Sequence, residues 1–493
     1  MTFSSENILL ILSVLIFSSI IISKAGYRFG LPSLLLFLVA GMLFGVDGLG
    51  LQFDNVKQAQ FIGMCSLCVI LFSGGMETKI SEIRPVLAPG LVLSTLGVVL
   101  TTVFTGLFIY VLSIWDYCPI SLPFVTCLLL AATMSSTDSA SVFNVLRTSK
   151  MRLKANLQPM LELESGSNDP MAFILTIILI QLANSLTGGA VSGGPDTWGV
   201  VSDAFTTLLL QFGVGVLGGV VFGYACVWFL RRIGLDNAPL YAILLLSVMF
   251  FSYTTTTYLS GNGYLAVYIA GIIIGNKSIP YKKDILSFFD GMTWLVQIIM
   301  FLILGLLVNP HEMMKTAPVA LLIGLFMILV ARPLSVYIGL APFRKISAAS
   351  KTFISWVGLR GAAPILFATY PVVENVEGAE LIFNIVFFIT LLSLVLQGSS
   401  ITAAAKMLKL NDETPDEEVN TFGVEIPEEA GKLVEITLTE EALLHGRTLK
   451  EIRLPEGMLV MMIKRDGKFI VPNGTVELKA GDRLLIISDA SNA

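Results

Sequence analysis

The sequence predicts a polytopic α-helical membrane protein of about 13 transmembrane helices, followed by a small β-rich α+β domain. Of the 493 residues, 55% are hydrophobic and only 14% are charged, whereas soluble domains are about one quarter charged. The mean hydropathy is +0.81, and the apolar residues recur in blocks of about twenty, the length of a helix that crosses a bilayer. The acidic, alternating character of the last part of the chain predicts the second domain.

The predicted spans are separated by short polar loops. They lie at about 8–24, 32–50, 59–76, 88–114, 120–146, 157–183, 203–230, 238–260, 264–276, 288–308, 316–339, 350–371 and 380–405. With this assignment nineteen Lys and Arg residues, Arg332 among them, fall on one side of the membrane and only Lys57 and Lys315 on the other, while Arg360 lies inside a span. Because Lys and Arg collect in cytoplasmic loops, we predict a cytoplasmic C-terminus and an external N-terminus. No basic residue precedes the first span, so we interpret it as a retained helix and not as a cleavable signal peptide.

The composition disfavours several classes of function. The five cysteines lie in or beside apolar segments. Cys65 and Cys68 form a CxxC without a second pair or a nearby histidine, so we interpret them as packing residues. Neither part of the chain has a basic patch suited to nucleic acid. We see no nucleophile–base constellation and no phosphate-binding loop, so we expect neither an enzyme nor a bound cofactor.

The chain changes character near residue 411. Residues 1–410 carry 22 Lys/Arg and 19 Asp/Glu, a balance of +3, whereas residues 411–493 carry 9 and 17, a balance of −8. We therefore predict a transmembrane domain over 1–408, an acidic linker over 409–430 and a cytoplasmic domain over 431–493. So short a domain has a small core, and we expect dimerisation or packing on the membrane domain to stabilise it.

Period-two hydrophobicity predicts the strands of this second domain. The alternating or apolar segments are 433–438, 458–463 and 484–487, and the turn signals are Asp466-Gly467, Asn473-Gly474 and Gly481-Asp482. This is the pattern of a small β-rich domain. It contains no GxGxxG, so a dinucleotide fold is not implied.

The first cluster of charges inside a span is Glu162-Leu163-Glu164-Ser165-Gly166-Ser167-Asn168-Asp169-Pro170. A helix that began only after Asp169 would be about 21 Å long, too short for a hydrocarbon core of about 30 Å. We therefore expect the helix to begin near Leu157, with Asp169 about midway across and with Glu162 and Ser165 on its face. A carboxylate beside hydroxyl and amide oxygens suits a hard monovalent cation, and the same carboxylate can hold a proton. Ionisable groups inside a span are functional candidates by default, and Asp169 is the leading one.

A second polar run, Ser135-Ser136-Thr137-Asp138-Ser139-Ala140-Ser141, also lies within a predicted span. Its hydroxyls compete with the hydrogen bonds of a helical backbone. We interpret the run as a helix unwound at its centre, with Asp138 offsetting the positive N-terminal end of the following half-helix. The length of the segment also permits a helix that ends at Thr137, with Asp138 in a loop.

The third cluster surrounds Arg360 in Ser355-Trp356-Val357-Gly358-Leu359-Arg360-Gly361-Ala362-Ala363-Pro364. Two glycines and a proline predict another interrupted span. The two interrupted spans are seven apart, as expected if spans 1–6 and 8–13 are inverted repeats with a broken helix at corresponding positions. A buried Arg360 needs an anionic partner, and we expect Glu164 to form a structural ion pair with it.

Two features are weaker. Glu77 ends the third span, where it is either a solvated end charge or, with Glu162, part of a cation path. Gly215, Gly219 and Gly223 form a small-xxx-small stripe that predicts close helix packing.

The Thr137-Asp138 pair, the Asn168-Asp169 pair and the Gly358-Leu359-Arg360-Gly361 run together resemble the monovalent cation/proton antiporters, and among them the NhaP-type electroneutral branch. The resemblance covers the whole membrane part. It implies the NhaA/NhaP-like antiporter fold with inverted repeats and two crossed, broken helices. It also implies a homodimer in which a core domain moves against a dimerisation domain. The chain departs from many relatives at Ser139, where they have proline.

The same resemblance implies roles for the polar residues. Asp169 is the carboxylate that takes either the cation or the proton. Ser165 and Thr137 supply further oxygens, and Asn168 and Asp138 hold the crossed region together. Where electrogenic relatives commonly carry a second acid, this chain has Asn168, which agrees with electroneutral exchange.

The tail resembles the TrkA-C (RCK-C) domains of potassium-conductance regulators. The matching residues are His445 to Leu449, Leu454 to Gly457 and Gly481 to Arg483. The usual nucleotide-binding half is missing, so NAD sensing is not implied, although a small nucleotide stays a candidate ligand of the tail. Antiporters with such tails are similar to potassium/proton exchangers, which favours K⁺ over Na⁺.

The sequence therefore predicts a secondary, electroneutral K⁺/H⁺ antiporter of a bacterial inner membrane, in contact with lipid and without metals other than the transported cation. Three alternatives stay open: a Na⁺/H⁺ antiporter of the same fold, a ligand-gated cation channel, and a membrane sensor of ions or pH. A channel would show K⁺ flux without proton counterflow, and the absence of a Thr-Val-Gly-Tyr-Gly-like filter counts against it.

Overall fold

The computed structural model describes most of the membrane part and a portion of the tail. The described residues are 5–26, 32–48, 50–51, 53, 55–115, 120–149, 151–154, 156–187, 197–412, 432–438, 448–451, 458–465 and 468–488. Contacts between residues divide the chain into two compact units, Met1–Asp412 and Glu413–Ala493.

The described part of the first unit is almost entirely helical. Its helices are α1 Ser5–Gly26, α2 Ser33–Phe44, α3 Val56–Glu77, α4 Ile80–Ile114, α5 Phe124–Thr133, α6 Ser139–Thr148, α7 Leu157–Thr187, α8 Thr197–Ile233, α9 Ala238–Tyr258, α10 Gly263–Gly275, α11 Lys282–Leu307, α12 Pro310–Gly339, α13 Ala348–Trp356, α14 Ala362–Val373 and α15 Ala379–Met407. Among the described residues, eight helices are long and apolar enough to cross a membrane, and five shorter apolar helices accompany them. The polytopic helical class is thus confirmed, whereas the count of 13 crossings stays a prediction.

Both predicted interruptions are present. The fifth predicted span is divided into α5 and α6 by a non-helical segment over residues 134–138, and the twelfth into α13 and α14 by residues 357–361. Each break coincides with the run of hydroxyls or glycines that disfavours a continuous helix.

Helix α7 begins at Leu157, as its length requirement predicts, and continues for 31 residues. Asp169 is therefore well inside the helix, far from either end. Pro170 follows it within the helix and cannot donate the usual backbone hydrogen bond. The Pro170 carbonyl accepts a hydrogen bond from Asn262 Nδ2 at 3.0 Å, which ties α7 to the N-terminus of α10.

The helices pack in two apolar clusters. In the smaller one, α10 packs against α3 and α8, and α11 packs against α3. In the larger one, α5, α12, α14 and α15 pack together with α2. The predicted glycine stripe of α8 packs on α10: a Cβ at Gly219 would lie 2.7 Å from the Ala266 carbonyl oxygen, so only glycine allows this approach.

A two-stranded antiparallel sheet joins distant parts of the first unit. Strand β1, Arg152–Leu153, follows α6, and strand β2, Asn411–Asp412, follows α15. Leu153 pairs with Asn411, and the Lys154 N–H donates to the Leu410 carbonyl at 2.9 Å. The loop between α6 and α7 is therefore hydrogen-bonded to the segment that leads into the tail.

The second unit contains a four-stranded antiparallel sheet of order β3-β6-β4-β5. Its strands are β3 Lys432–Thr437, β4 Met458–Arg465, β5 Lys468–Ile470 and β6 Arg483–Ser488. The predicted strands coincide with β3, β4 and β6, and β6 lies between β3 and β4. Buried Leu438, Val460, Ile463, Leu484 and Ile486 form part of its core.

Candidate ion-binding site

The two interrupted spans meet at their breaks. The Asp138 N–H donates to the Leu359 carbonyl at 2.7 Å, which joins one non-helical segment to the other. The Arg360 N–H donates to Ser393 Oγ of α15 at 3.0 Å. Backbone groups freed by the breaks thus find partners within the protein, as a membrane interior requires.

Asp138 lies at the start of two half-helices. Its carboxylate accepts hydrogen bonds from Ser141 N at 3.3 Å and from Ser141 Oγ at 2.5 Å, so it caps α6. A Cβ built on Gly361, the residue that precedes α14, would overlap the Asp138 carboxylate. The absence of a side chain at Gly361 therefore lets this anion approach the positive N-terminal end of α14 as well.

Arg360 has the complementary position. Its guanidinium donates to the Met134 carbonyl at 3.1 Å and to the Gly358 carbonyl. These carbonyls follow the last residues of α5 and α13, where unpaired carbonyls give a helix a partial negative charge. A cation thus stabilises two C-terminal helix ends while the Asp138 anion lies at two N-terminal ends.

The prediction that Glu164 and Arg360 form an ion pair is wrong. Glu164 of α7 pairs instead with Arg332 of α12, and both side chains are only 2% exposed. A five-residue π-turn, Met327–Ala331, directly precedes Arg332. Such a turn changes which face of a helix the next residues occupy, and Arg332 lies inside the protein, although the sequence places it with the cytoplasmic side of the predicted span 316–339. Arg360 instead donates hydrogen bonds to the Met134 and Gly358 carbonyls, at the ends of α5 and α13.

Two side chains of α7 attach that helix to the break between α5 and α6. Asn168 Nδ2 donates to Thr137 Oγ1 at 2.7 Å and to the Thr137 carbonyl at 3.3 Å. The Ser139 N–H donates to Ser165 Oγ at 3.0 Å. These contacts bring three of the predicted site residues, Thr137, Ser165 and Asn168, together beside Asp138.

A small cavity of about 30 Å³ lies at this crossing. It is lined by Leu67, Ile70, Ser136, Thr137, Asp138, Asp169, Gln297, Met300, Phe301, Gly361, Ala362, Ala363 and Pro364. Asp138 and Asp169 are both partly exposed, and the volume suffices for a water molecule or an ion of similar size. Two carboxylates on one cavity repel each other unless a cation or a proton offsets their charge.

Sequence reasoning missed two polar residues of the lining, Ser136 and Gln297. Ser136 belongs to the hydroxyl run, in which nothing in the sequence distinguishes it from its neighbours. Gln297 is a lone amide in the apolar helix α11 and is 8% exposed, a signal that could have identified it. Conversely, Glu77, at the end of α3, and Glu162, which accepts from Gln158 at 3.0 Å, do not line the cavity.

A partly exposed carboxylate in an ion-sized cavity, at the crossing of two broken helices, defines the class of secondary ion transporters built from inverted repeats. The family described as "Sodium/hydrogen exchanger, transmembrane" matches residues 11–407, and the TrkA-C domain matches residues 433–493. The chain belongs to the sodium/hydrogen exchanger family and carries a C-terminal TrkA-C domain. The family resemblance of both parts is thereby confirmed.

Several named proteins are similar to this chain, two of them over nearly its whole length. A K(+)/H(+) antiporter NhaP2 of Shewanella sp. (strain MR-4) is 37% identical over 98% of this chain and 81% of its own. The K(+)/H(+) antiporter NhaP of Alkalimonas amylolytica is 36% identical over 97% and 80%. The Na(+)/H(+) antiporter NhaH of Halobacillus aidingensis is 28% identical over 62% and 75%.

The fold is also that of a solved structure. The sodium proton antiporter MjNhaP1 of Methanocaldococcus jannaschii superposes with a TM-score of 0.68 over 81% of this chain and 98% of its own, at 22% identity. The predicted NhaP-type fold, with its broken helices and an added β-rich domain, is therefore confirmed.

Proposed function

We propose that this protein is a secondary, electroneutral K⁺/H⁺ antiporter in which Asp169 binds either the cation or the proton. The observation that carries the proposal is the partial exposure of Asp169 to an ion-sized cavity at the helix crossing. An ionised Asp169 attracts a cation, and a protonated one is neutral. The two substrates therefore exclude each other, which couples their movement.

The polar residues around the cavity have distinct roles in this proposal. Thr137 and Ser136 supply oxygens near the ion, and Asn168 and Ser165 hold α7 against the break. Asp138 offsets the helix ends and stays charged through the cycle. Only the charge on Asp169 then changes, so one cation exchanges for one proton without net charge movement.

K⁺ is proposed ahead of Na⁺ as the cation. Oxygen ligands suit both ions, so the chemistry of the cavity alone does not choose between them. The relatives that align over nearly the whole of this chain at 36–37% identity carry the name K(+)/H(+) antiporter, whereas the named Na(+)/H(+) antiporter is 28% identical over a shorter part.

We further propose that the protein lies in a bacterial inner membrane as a homodimer, with the N-terminus outside and the tail in the cytoplasm. The distribution of Lys and Arg supports this orientation: without the buried Arg332, eighteen fall on the cytoplasmic side and two on the other. The proposed domains are 1–408, 409–430 and 431–493, and the TrkA-C domain is a candidate site for a small nucleotide that regulates exchange.

The test is pH-gradient dequenching in proteoliposomes that contain the full chain, with K⁺, Na⁺, Rb⁺ and Li⁺ titrated in turn. We expect K⁺ to dissipate the gradient and an imposed membrane potential to leave the rate unchanged. Asp169→Asn should abolish the exchange, because an amide can neither carry the negative charge that attracts the cation nor take up and release the proton. The matched control is Asp284→Asn, which changes an exposed acid in the first turn of α11 and should leave exchange intact.

Two results would overturn the proposal. Persisting cation-dependent proton movement in Asp169→Asn would exclude Asp169 as the shared site. K⁺ flux without proton counterflow in the unmodified protein would indicate a channel instead.

A further inference from the structure

A second, larger cavity lies on the other side of α7 from the ion site. It has a volume of about 580 Å³ and runs between α4, α7, α8 and α10. Ser167 and Met171 line it, and at about 100° per residue each is turned about 160° away from Asp169 around the helix. We call this cavity the rear groove.

The rear groove has the length of one membrane leaflet. Along α4 its lining extends from Ile80 to Thr95, and along α7 from Leu163 to Ile174. These stretches cover fifteen and eleven residue steps, or about 22 and 16 Å of helix. Since the hydrocarbon core is about 30 Å thick, the rear groove extends through about half to two thirds of it.

The walls of the rear groove are apolar. The hydroxyls of Ser94 and Thr95 both donate to the Leu91 carbonyl, at 3.2 and 2.6 Å, so they need no partner in the cavity. The remaining lining is mostly Ile, Leu, Val, Met and Phe. Such a wall favours an alkyl chain over water.

A charge lies near one end of the rear groove. Arg84 is the only charged residue of the lining and is exposed. Across the residues that the structure describes, it forms no hydrogen bond or ion pair. The adjacent acid, Glu82, is paired with Lys79 at 3.1 Å. The rear groove thus has apolar walls about as long as one membrane leaflet is thick. It also has one cation near one end, Arg84, which is unpaired among the described residues.

We propose that the rear groove binds an anionic phospholipid, with one acyl chain along its walls and the phosphate at Arg84. In the orientation proposed above, this lipid comes from the cytoplasmic leaflet, where basic pockets between transmembrane helices bind anionic headgroups. Its chain contacts Met171 and Ile174 on the helix that carries Asp169. The bound lipid thereby fills the space between α7 and the helices α8 and α10.

Native mass spectrometry of the delipidated full chain tests the proposal without any transport assay. The probes are phosphatidylglycerol and phosphatidylcholine with identical acyl chains, and oleate as a free fatty acid. We expect preferential retention of phosphatidylglycerol, and Arg84→Gln should lower this retention about five-fold while phosphatidylcholine retention stays unchanged. Arg344→Gln, which removes an exposed basic residue elsewhere, is the matched control.

A second pair of variants tests the apolar part. Leu91→Trp, on an exposed position of the rear groove, should displace both phospholipids, whereas Leu107→Trp, on an exposed position of the same helix outside it, should displace neither. Equal effects of Arg84→Gln and Arg344→Gln would overturn the proposal, as would retention of oleate in place of phospholipid. Because binding is measured directly, failure here leaves the antiport proposal untouched.

Discussion

Glu164 of α7 and Arg332 of α12 form an ion pair that solvent does not reach, each side chain being 2% exposed. The pair connects α7, the helix that carries Asp169, to α12. The second carboxylate oxygen of Glu164 accepts no hydrogen bond from the described residues. Among the described residues, Arg332 is therefore the direct ion-pair partner of Glu164.

Removal of Arg332 should destabilise the fold strongly. Arg332→Ala leaves the Glu164 carboxylate buried and unpaired, which costs about 3–5 kcal/mol. The measurement is the thermal unfolding of the purified protein in detergent, compared with the unmodified chain. The double variant Arg332→Met with Glu164→Leu removes both charges and should recover most of the lost stability. A cost below about 1 kcal/mol for the single variant would contradict the assigned pair.

Because Gly361 lies so close to Asp138, the addition of one methyl group at Gly361 should strongly reduce ion exchange. Gly361→Ala places a Cβ on the Asp138 carboxylate, so either this carboxylate leaves the start of α14 or the crossing opens. We expect loss of exchange in proteoliposomes while the protein still inserts and purifies. Gly291→Ala is the control, because nothing lies within 4 Å of a Cβ there. Equal activity of the two variants would exclude the contact.

The hydrogen bond from Asn168 to Thr137 predicts an energetic coupling between α7 and the break. Asn168→Ala and Thr137→Val each remove one partner of the 2.7 Å contact. In a double-mutant cycle of unfolding free energies, the two changes should be non-additive by about 1 kcal/mol. Asn168→Ala with Ser355→Ala, a residue outside this contact, should be additive and serves as the control cycle.

The sequence predicts the elements of the site well because local rules determine them. The start of α7 at Leu157 follows from the thickness of a membrane, and the two breaks follow from runs of hydroxyls and glycines. The partner of Glu164 follows from no local rule: it depends on which helix packs there and on the π-turn before Arg332. Strands β1 and β2 were not predicted for a related reason. Two-residue strands have no periodicity, and these two lie far apart in the sequence.

The tail contains a partly buried ion pair whose strength depends on pH. Arg465 donates to Asp482 at 2.7 and 2.6 Å, and the Lys479 N–H donates at 2.8 Å. Burial alone would raise the pKa of the Asp482 carboxyl, but these hydrogen bonds hold its pKa below the usual value. The stabilisation is therefore complete above the unfolded pKa of about 3.9 and is lost as the pH falls through the lower folded value.

Limited proteolysis of the tail in the full chain between pH 7 and pH 3 checks this dependence, with an acid-stable protease. We expect protection near neutral pH and increased cleavage below about pH 4. Asp482→Asn should be cleaved faster already at pH 7, whereas Glu477→Gln, at an exposed position, should behave like the unmodified chain. Equal cleavage of the two variants would exclude a stabilising role for the pair.

The strand pair β1–β2 predicts that the first residues after α15 stabilise the loop between the two ion-site helices α6 and α7. A chain that ends at Asp412 lacks the tail but keeps β2, whereas one that ends at Leu408 also loses the Leu410 carbonyl that accepts from Lys154. Hydrogen exchange of the Lys154 amide should be slow in the longer chain and fast in the shorter one. Because this loop connects α6 to α7, we also expect slower exchange of K⁺ for H⁺ in the shorter chain only. Identical amide protection in both chains would show that β2 does not hold the loop.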